Sequence, residues 1–311
     1  MSPAPLQALI TELRRLARAQ DQSPNVRTIH RLQHRLERAN AQRLPAVVAE
    51  VLVARRAMLS GCRVESETPT PTGRTCDFLL ERAGEGLYVH VKTLQASAFE
   101  PPRIPTALRQ AVRSDRPVRV SARWSPHLTS AALRRAGESL EAFVQGAAIG
   151  ESITVRSGRQ EELAHFRVDR PAEAFELVAE RPDRVAVLDR LDRLLDRACQ
   201  QSMPGQPNAI MVVGRSEADV DLMDQALLGA FVARWDRLPR RGERQAFGRD
   251  ETGLWSRQAS RHVGVACWTT LHDGSARPRL SAGHLWLRGN PPPRPQSAAL
   301  ARATLLRARA S

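Results

Sequence analysis

The chain is nearly devoid of lysine: of its 47 basic residues 46 are arginine, and Lys92 is the single exception. It has four cysteines, Cys62, Cys76, Cys199 and Cys267, with no CxxC pair among them. That spacing excludes a zinc ribbon and offers no disulfide framework, so a reducing cytoplasm is the expected compartment. No apolar run approaches the ~20 residues that span a bilayer, which argues against a membrane protein. The first twenty residues contain no apolar h-region, so export by a signal peptide is not expected. Internal repeats and low-complexity tracts are absent as well.

What is present is ordinary globular material. The 311 residues are 42% hydrophobic and 26% charged, and that length predicts two lobes or one domain with a large insertion. The formal charge of +14 suits a polyanionic partner such as nucleic acid. The arginines are spread along the chain rather than gathered in a block, so basicity permits nucleic-acid binding without establishing it. Lys92 says more. Where arginine supplies nearly every positive charge, a retained lysine points to a role for a compact, three-donor ammonium that a planar guanidinium cannot fill. Chance survival is the competing explanation, and the neighbours of Lys92 must decide.

Residues 4–20 and 27–43 read as amphipathic helices, and a third covers 44–59 with Pro45 in its first turn. β-like runs follow at 62–67, 75–81 and 87–94, the last two joined by a glycine-containing hairpin loop at 82–86. Strand- and helix-like stretches from 97 to 171 form an inserted α/β subdomain. A helix at 183–201, a buried-type strand at 209–214 and a helix at 219–235 come next, then β-like runs at 263–271 and 280–287 and a helical tail. The expected division is a helical extension at 1–43, a core at 44–96 and 172–250, the insertion at 97–171, and a β-containing segment at 251–311.

Glu50 is the only polar side chain in the eleven residues 44–54. If that helix is buried all round, an ionised carboxylate there costs several kcal/mol unless it is paired or binds a metal. If its alanine face (Ala46, Ala49) is solvated, Glu50 is merely a surface charge. Asp77 sits in a strand, a place aspartate avoids, opposite in face to Phe78. On the partner strand His90 and Lys92 share one face, and Val89 and Val91 the other. A hairpin would bring Asp77, His90 and Lys92 to one surface.

This order resembles the PD-(D/E)xK nuclease superfamily: a helical glutamate, a strand aspartate, then a hairpin to a (D/E)xK strand. Glu50, Asp77 and His90-Val91-Lys92 fall in those places, with histidine where the family has an acid and Cys76 where it has proline. The resemblance implies a restriction-endonuclease-like α/β core, a mixed sheet flanked by helices, and metal-dependent cleavage of DNA. It implies that Asp77, Glu50 and the Val91 carbonyl hold Mg²⁺ or Mn²⁺, with His90 as a further ligand that favours Mn²⁺. Lys92 would orient the attacking water. Glu81 and Glu85, near the hairpin, are the candidates to replace the missing acid. A retired module that keeps the fold and binds nucleic acid or protein is the alternative, and a homodimer is compatible with either.

Arg14, Arg15, Arg18, Arg31, Arg35 and Arg38 form either a phosphate-contacting face or a solvated one. Trp235, Trp255, Trp268 and Trp286 could stack bases or fill a core. His262, His272 and His284 lack metal-ligand spacing.

Overall fold

The computed structural model describes residues 3–19, 24–71, 73–125, 128–158, 160–233, 238, 246–272 and 277–306. In chain order these form helices α1 (Pro3–Ala19), α2 (Val26–Arg38) and α3 (Leu44–Leu59), then strands β1 (Arg63–Pro69), β2 (Thr75–Arg82) and β3 (Glu85–Thr93). There follow α4 (Thr106–Ala111), β4 (Val118–Trp124), α5 (Ser130–Gly146), β5 (Ser152–Arg156), β6 (Glu162–Pro171) and β7 (Glu176–Ala179). The remainder is α6 (Arg184–Gln200), β8 (Asn208–Gly214), α7 (Val220–Leu228), β9 (Phe231–Ala233), β10 (Phe247–Arg249), β11 (Val263–His272), β12 (Arg279–Leu280), β13 (His284–Leu287) and α8 (Pro295–Ala301).

The chain divides into two compact units, residues 1–97 with 183–311, and residues 98–182. The first is a mixed α/β unit built on a seven-stranded sheet of order β1-β2-β3-β8-β11-β12, with β13 also on β11. β1, β2 and β3 run antiparallel in sequence, whereas β3, β8 and β11 are parallel neighbours. The antiparallel part is local: Ala83 and Gly84, both at positive φ, close a two-residue turn of the kind whose twist matches a hairpin. The parallel part is not local, because each parallel step needs a crossover. α6 supplies one before β8, and α7 lies in the other before β11. On one face of the sheet Phe78, Leu80, Leu87, Val89, Val91, Met211 and Val265 form a single core with α1, α2 and α3. β8 is buried at all seven positions, as a central parallel strand should be.

Three expectations about organisation are corrected. The N-terminal helices are not an extension: Leu9, Leu13, Ile29, Leu32 and Leu36 belong to the main core. The C-terminal third is not a separate segment either, since β11 pairs with β8 along Asn208–Gly214. The insertion runs on to Pro182 rather than ending at 171, because β7 pairs in parallel with β4. Two helices also stop early. α2 ends at Arg38, and α7 ends at Leu228 before Gly229, whose φ of +89° breaks the helix.

The second unit has its own four-stranded sheet, order β5-β6-β4-β7, and its own core of Leu108, Val120, Ala136, Leu140 and Phe166. No described helix in either unit is long and apolar enough to cross a membrane.

Trp268 is fully buried on β11, and its ring lies over Gly214, where an added Cβ would come within 2.0 Å of the indole. Gly214→Ala therefore should destabilise the first unit by about 2 kcal/mol, as overpacking of a close-packed interior does. Urea denaturation checks this; an unchanged midpoint would show that the ring can retreat.

Candidate functional site

α3 is buried from Val47 through Ala54, including Ala49 and Val53, so the solvated-face alternative for Glu50 is excluded. Glu50 itself is 8% exposed. Its partner is Arg35 of α2: Nη2 donates to Oε1 at 3.0 Å and Nη1 stands 2.6 Å from Oε2. Despite that contact, Oε2 has no aligned hydrogen-bond donor. Burial pushes the Glu50 carboxyl up to about 7, against the pull of Arg35; Asp77 raises it further and Lys92 opposes the rise. The helical carboxylate thus lies within electrostatic reach of both strand residues.

The β2–β3 ladder ends at Phe78↔Val89. Beyond it the strands separate, and the Asp77 carboxylate occupies the fork. Its Oδ2 accepts the Val91 amide at 2.8 Å, taking the place of a missing strand carbonyl, and meets Lys92 Nζ at 3.4 Å. Asp77 therefore sits in the fork, along the direction of the ladder bonds, rather than on the flat face that alternation suggested. A strand residue projects its N–H and C=O to the same side, so the Val91 carbonyl also faces the β2 side. Lys92 comes from the opposite face to the α3 core. Its Nζ donates to Gln201 Oε1 at 2.7 Å, and Gln201 caps the C-terminal end of α6. The sequence offered no signal for Gln201 beyond a polar residue ending a helix.

His90 is 0% exposed. Burial, reinforced by Lys92 and opposed by Asp77, pushes its pKa down to about 4, so the imidazole is neutral near pH 7. Nδ1 has no aligned hydrogen-bond partner, although the Asn208 side chain lies close enough to favour the charged imidazole slightly, and Nε2 stands 3.8 Å from Cys76 Sγ. The Cys76 thiol is itself buried, 3.2 Å from the Phe78 carbonyl and 3.3 Å from that of Val89.

As arranged, no three Asp, Glu, His or Cys side chains among the described residues stand close enough to hold an ion between them. The donor chemistry nevertheless suits a hard divalent cation. The Asp77 carboxylate and the Val91 carbonyl side meet at the fork, and the Glu50 carboxylate, ion-paired to Arg35 through Oε2 at 2.6 Å, is near enough for Asp77 and Lys92 to influence its charge. Neither proposed substitute acid belongs here. Glu81 pairs with Arg63 at 3.4 Å and Glu85 faces Arg82 at the hairpin turn, the far end of both strands from Asp77.

Comparison with protein-family models, characterised proteins and solved structures finds no match for this chain.

The remaining candidates separate. Arg14 is paired with Glu37 at 3.2 Å, Arg15 lines a groove between α1 and α3, and Arg18 is exposed on α1. Arg31 bonds the Ser66 carbonyl at 3.2 Å, while Arg38 is exposed. The six therefore do not form one face. Trp268 is core, and Trp286 donates to Asp224 at 3.1 Å. Trp255 is half-buried with its Nε1 enclosed, and Trp235 lies outside the described residues. His284 lies 3.3 Å from Glu217, His272 is exposed and His262 half-buried.

Proposed function

We propose that this protein hydrolyses phosphodiester bonds in DNA with a divalent metal, on a restriction-endonuclease-like core. The observation that carries the reading is the fork itself: Asp77 and Lys92 paired at 3.4 Å, with the buried Glu50 carboxyl sensing both. The element order α3, β1, β2, β3, then α6 and β8, agrees with the order that the PD-(D/E)xK resemblance implies.

In this reading Asp77, Glu50 and the Val91 carbonyl hold Mg²⁺ or Mn²⁺, with His90 as the donor in the acid's place. The bound metal supplies Lewis-acid polarisation of the scissile phosphate. The chain does the rest. Gln201 and Asp77 fix the Lys92 ammonium, which orients a water and stabilises charge on the phosphate as that water's oxygen bonds to phosphorus. The bridging P–O bond breaks, the proton given up by the attacking water passes to solvent, and the leaving oxygen takes up a proton from solvent. Because burial keeps His90 neutral, its lone pair is free for a metal near neutral pH.

One observation favours a second reading, a silent module that binds nucleic acid or protein: Arg35 already neutralises Glu50. Cleavage of linear and supercoiled DNA with Mg²⁺ and with Mn²⁺ separates the two. The nuclease reading predicts metal-dependent cutting that Asp77→Asn reduces by at least about a hundredfold. Undiminished cutting by that variant, or none by the wild type with either metal, would refute it.

A further inference from the structure

α2 buries Thr28, Ile29, Leu32 and Leu36. On the opposite side Arg27, Arg31, His34 and Arg38 fall at i, i+4, i+7 and i+11, one stripe along the helix, and all four are exposed. Arg27 and Arg38 have no ion pair or hydrogen bond among the described residues. The only nearby acid on this helix, Glu37, is engaged by Arg14 and Gln33.

The stripe is held rigidly. Asn25, just before α2, donates to the Cys62 carbonyl at 3.1 Å and accepts the Val64 amide at 2.7 Å. Thr28 donates to the Val64 carbonyl at 2.7 Å, and Arg31 to that of Ser66 at 3.2 Å. These bonds climb α2 and β1 together, and the next helical turn brings Arg35 to Glu50 and within 3.7 Å of Glu67. The stripe thus leads to the candidate site.

We infer that α2 is a phosphate track that seats the DNA backbone and aims it at the Glu50–Asp77–Lys92 fork, an inference that rests on the proposed nuclease reading. From Arg27 to Arg38 is about 16 Å at 1.5 Å per residue, the axial rise of roughly five base pairs of B-form DNA. Permanently charged guanidiniums at Arg27, Arg31 and Arg38, one turn and then two turns apart on a fixed helix, suit a row of phosphates. They contact backbone, not base edges, and confer no sequence preference.

The test is fluorescence anisotropy of a 20-base-pair duplex with the full chain in EDTA, across a salt series. Arg27→Glu/Arg38→Glu should weaken binding at least tenfold and lower the slope of log K against log salt by about 2, near 0.9 per lost contact. Arg134→Glu/Arg135→Glu, exposed on α5, makes the same charge change elsewhere and should stay within twofold of wild type. Equal losses in the two double variants, or none in the first, would overturn the track. Cleavage is read separately. A wild type that binds through α2 yet cuts nothing sinks the nuclease reading alone, and cutting unimpaired in Arg27→Glu/Arg38→Glu sinks the track alone.

Discussion

Lys92→Arg is expected to lose DNA cleavage by about a hundredfold or more, as fully as Lys92→Ala. The two substitutions differ greatly in charge, yet the environment of Nζ treats them alike. The ammonium occupies a half-buried slot between Gln201 Oε1 at 2.7 Å and Asp77 Oδ2 at 3.4 Å. A guanidinium is planar and larger, and it would displace Gln201 or push Asp77 off the Val91 amide. Removing a donor aimed at developing charge typically costs two to three orders of magnitude. Steady-state kinetics on a labelled duplex gives the ratio, with a melting curve for each variant to show that it folds. Wild-type-like rates in Lys92→Arg would reduce Lys92 to a generic charge and remove the argument drawn from its uniqueness.

The second large effect is in stability against pH, measured on metal-free protein. Glu50 is raised to about 7 from 4.5 in the fold. Its contribution is therefore fully present below pH 4.5 and is lost as pH rises through 7. His90 is lowered to about 4 from 6.5, so its contribution is present above pH 6.5 and is lost as pH falls through 4. Between pH 4.5 and 6.5 the slopes oppose each other at about 1.4 kcal/mol per pH unit each. Their sum in the wild type is nearly flat. Glu50→Gln removes one of them, and its stability should climb relative to wild type by up to about 3 kcal/mol as pH is raised across this window. Urea titrations with a chelator, at half-unit intervals, resolve the difference. Parallel profiles for the two proteins would show that the buried carboxyl does not titrate as described.

Much of the fork was legible in the sequence because it is built from local rules. Period-2 alternation puts Phe78, Val89 and Val91 into the core, and the hairpin expected there forms, although its loop is two residues, Ala83 and Gly84, rather than the stretch 82–86. The eleven-residue stretch 44–54, apolar but for Glu50, left that carboxylate either buried or on a solvated alanine face, and the packing of α3 decides for burial. What was not legible depends on distant pairing. Arg35 reaches Glu50 through the packing of α2 on α3 and β1, and nothing in its own segment marks it out from the other arginines of the N-terminal helices. Gln201 becomes important only because α6 ends beside β3. The strand fork also escaped alternation, which assumes a ladder that continues; here it stops at Phe78↔Val89 and Asp77 turns into the gap. Pairing set the unit boundaries for the same reason: β7 and β11 each join a sheet begun far earlier in the chain.

The central claim is that Glu50, Asp77 and the Val91 side of the fork form one metal site. Calorimetric titration of Mn²⁺ into the full chain at pH 7.5 tests it most directly. The account predicts one site in the wild type, lost in Asp77→Asn and weakened at least tenfold in Glu50→Gln. Because metal binding displaces the Glu50 proton, affinity should also fall as pH drops below about 7. No binding by the wild type, or equal affinity in all three proteins, would contradict it.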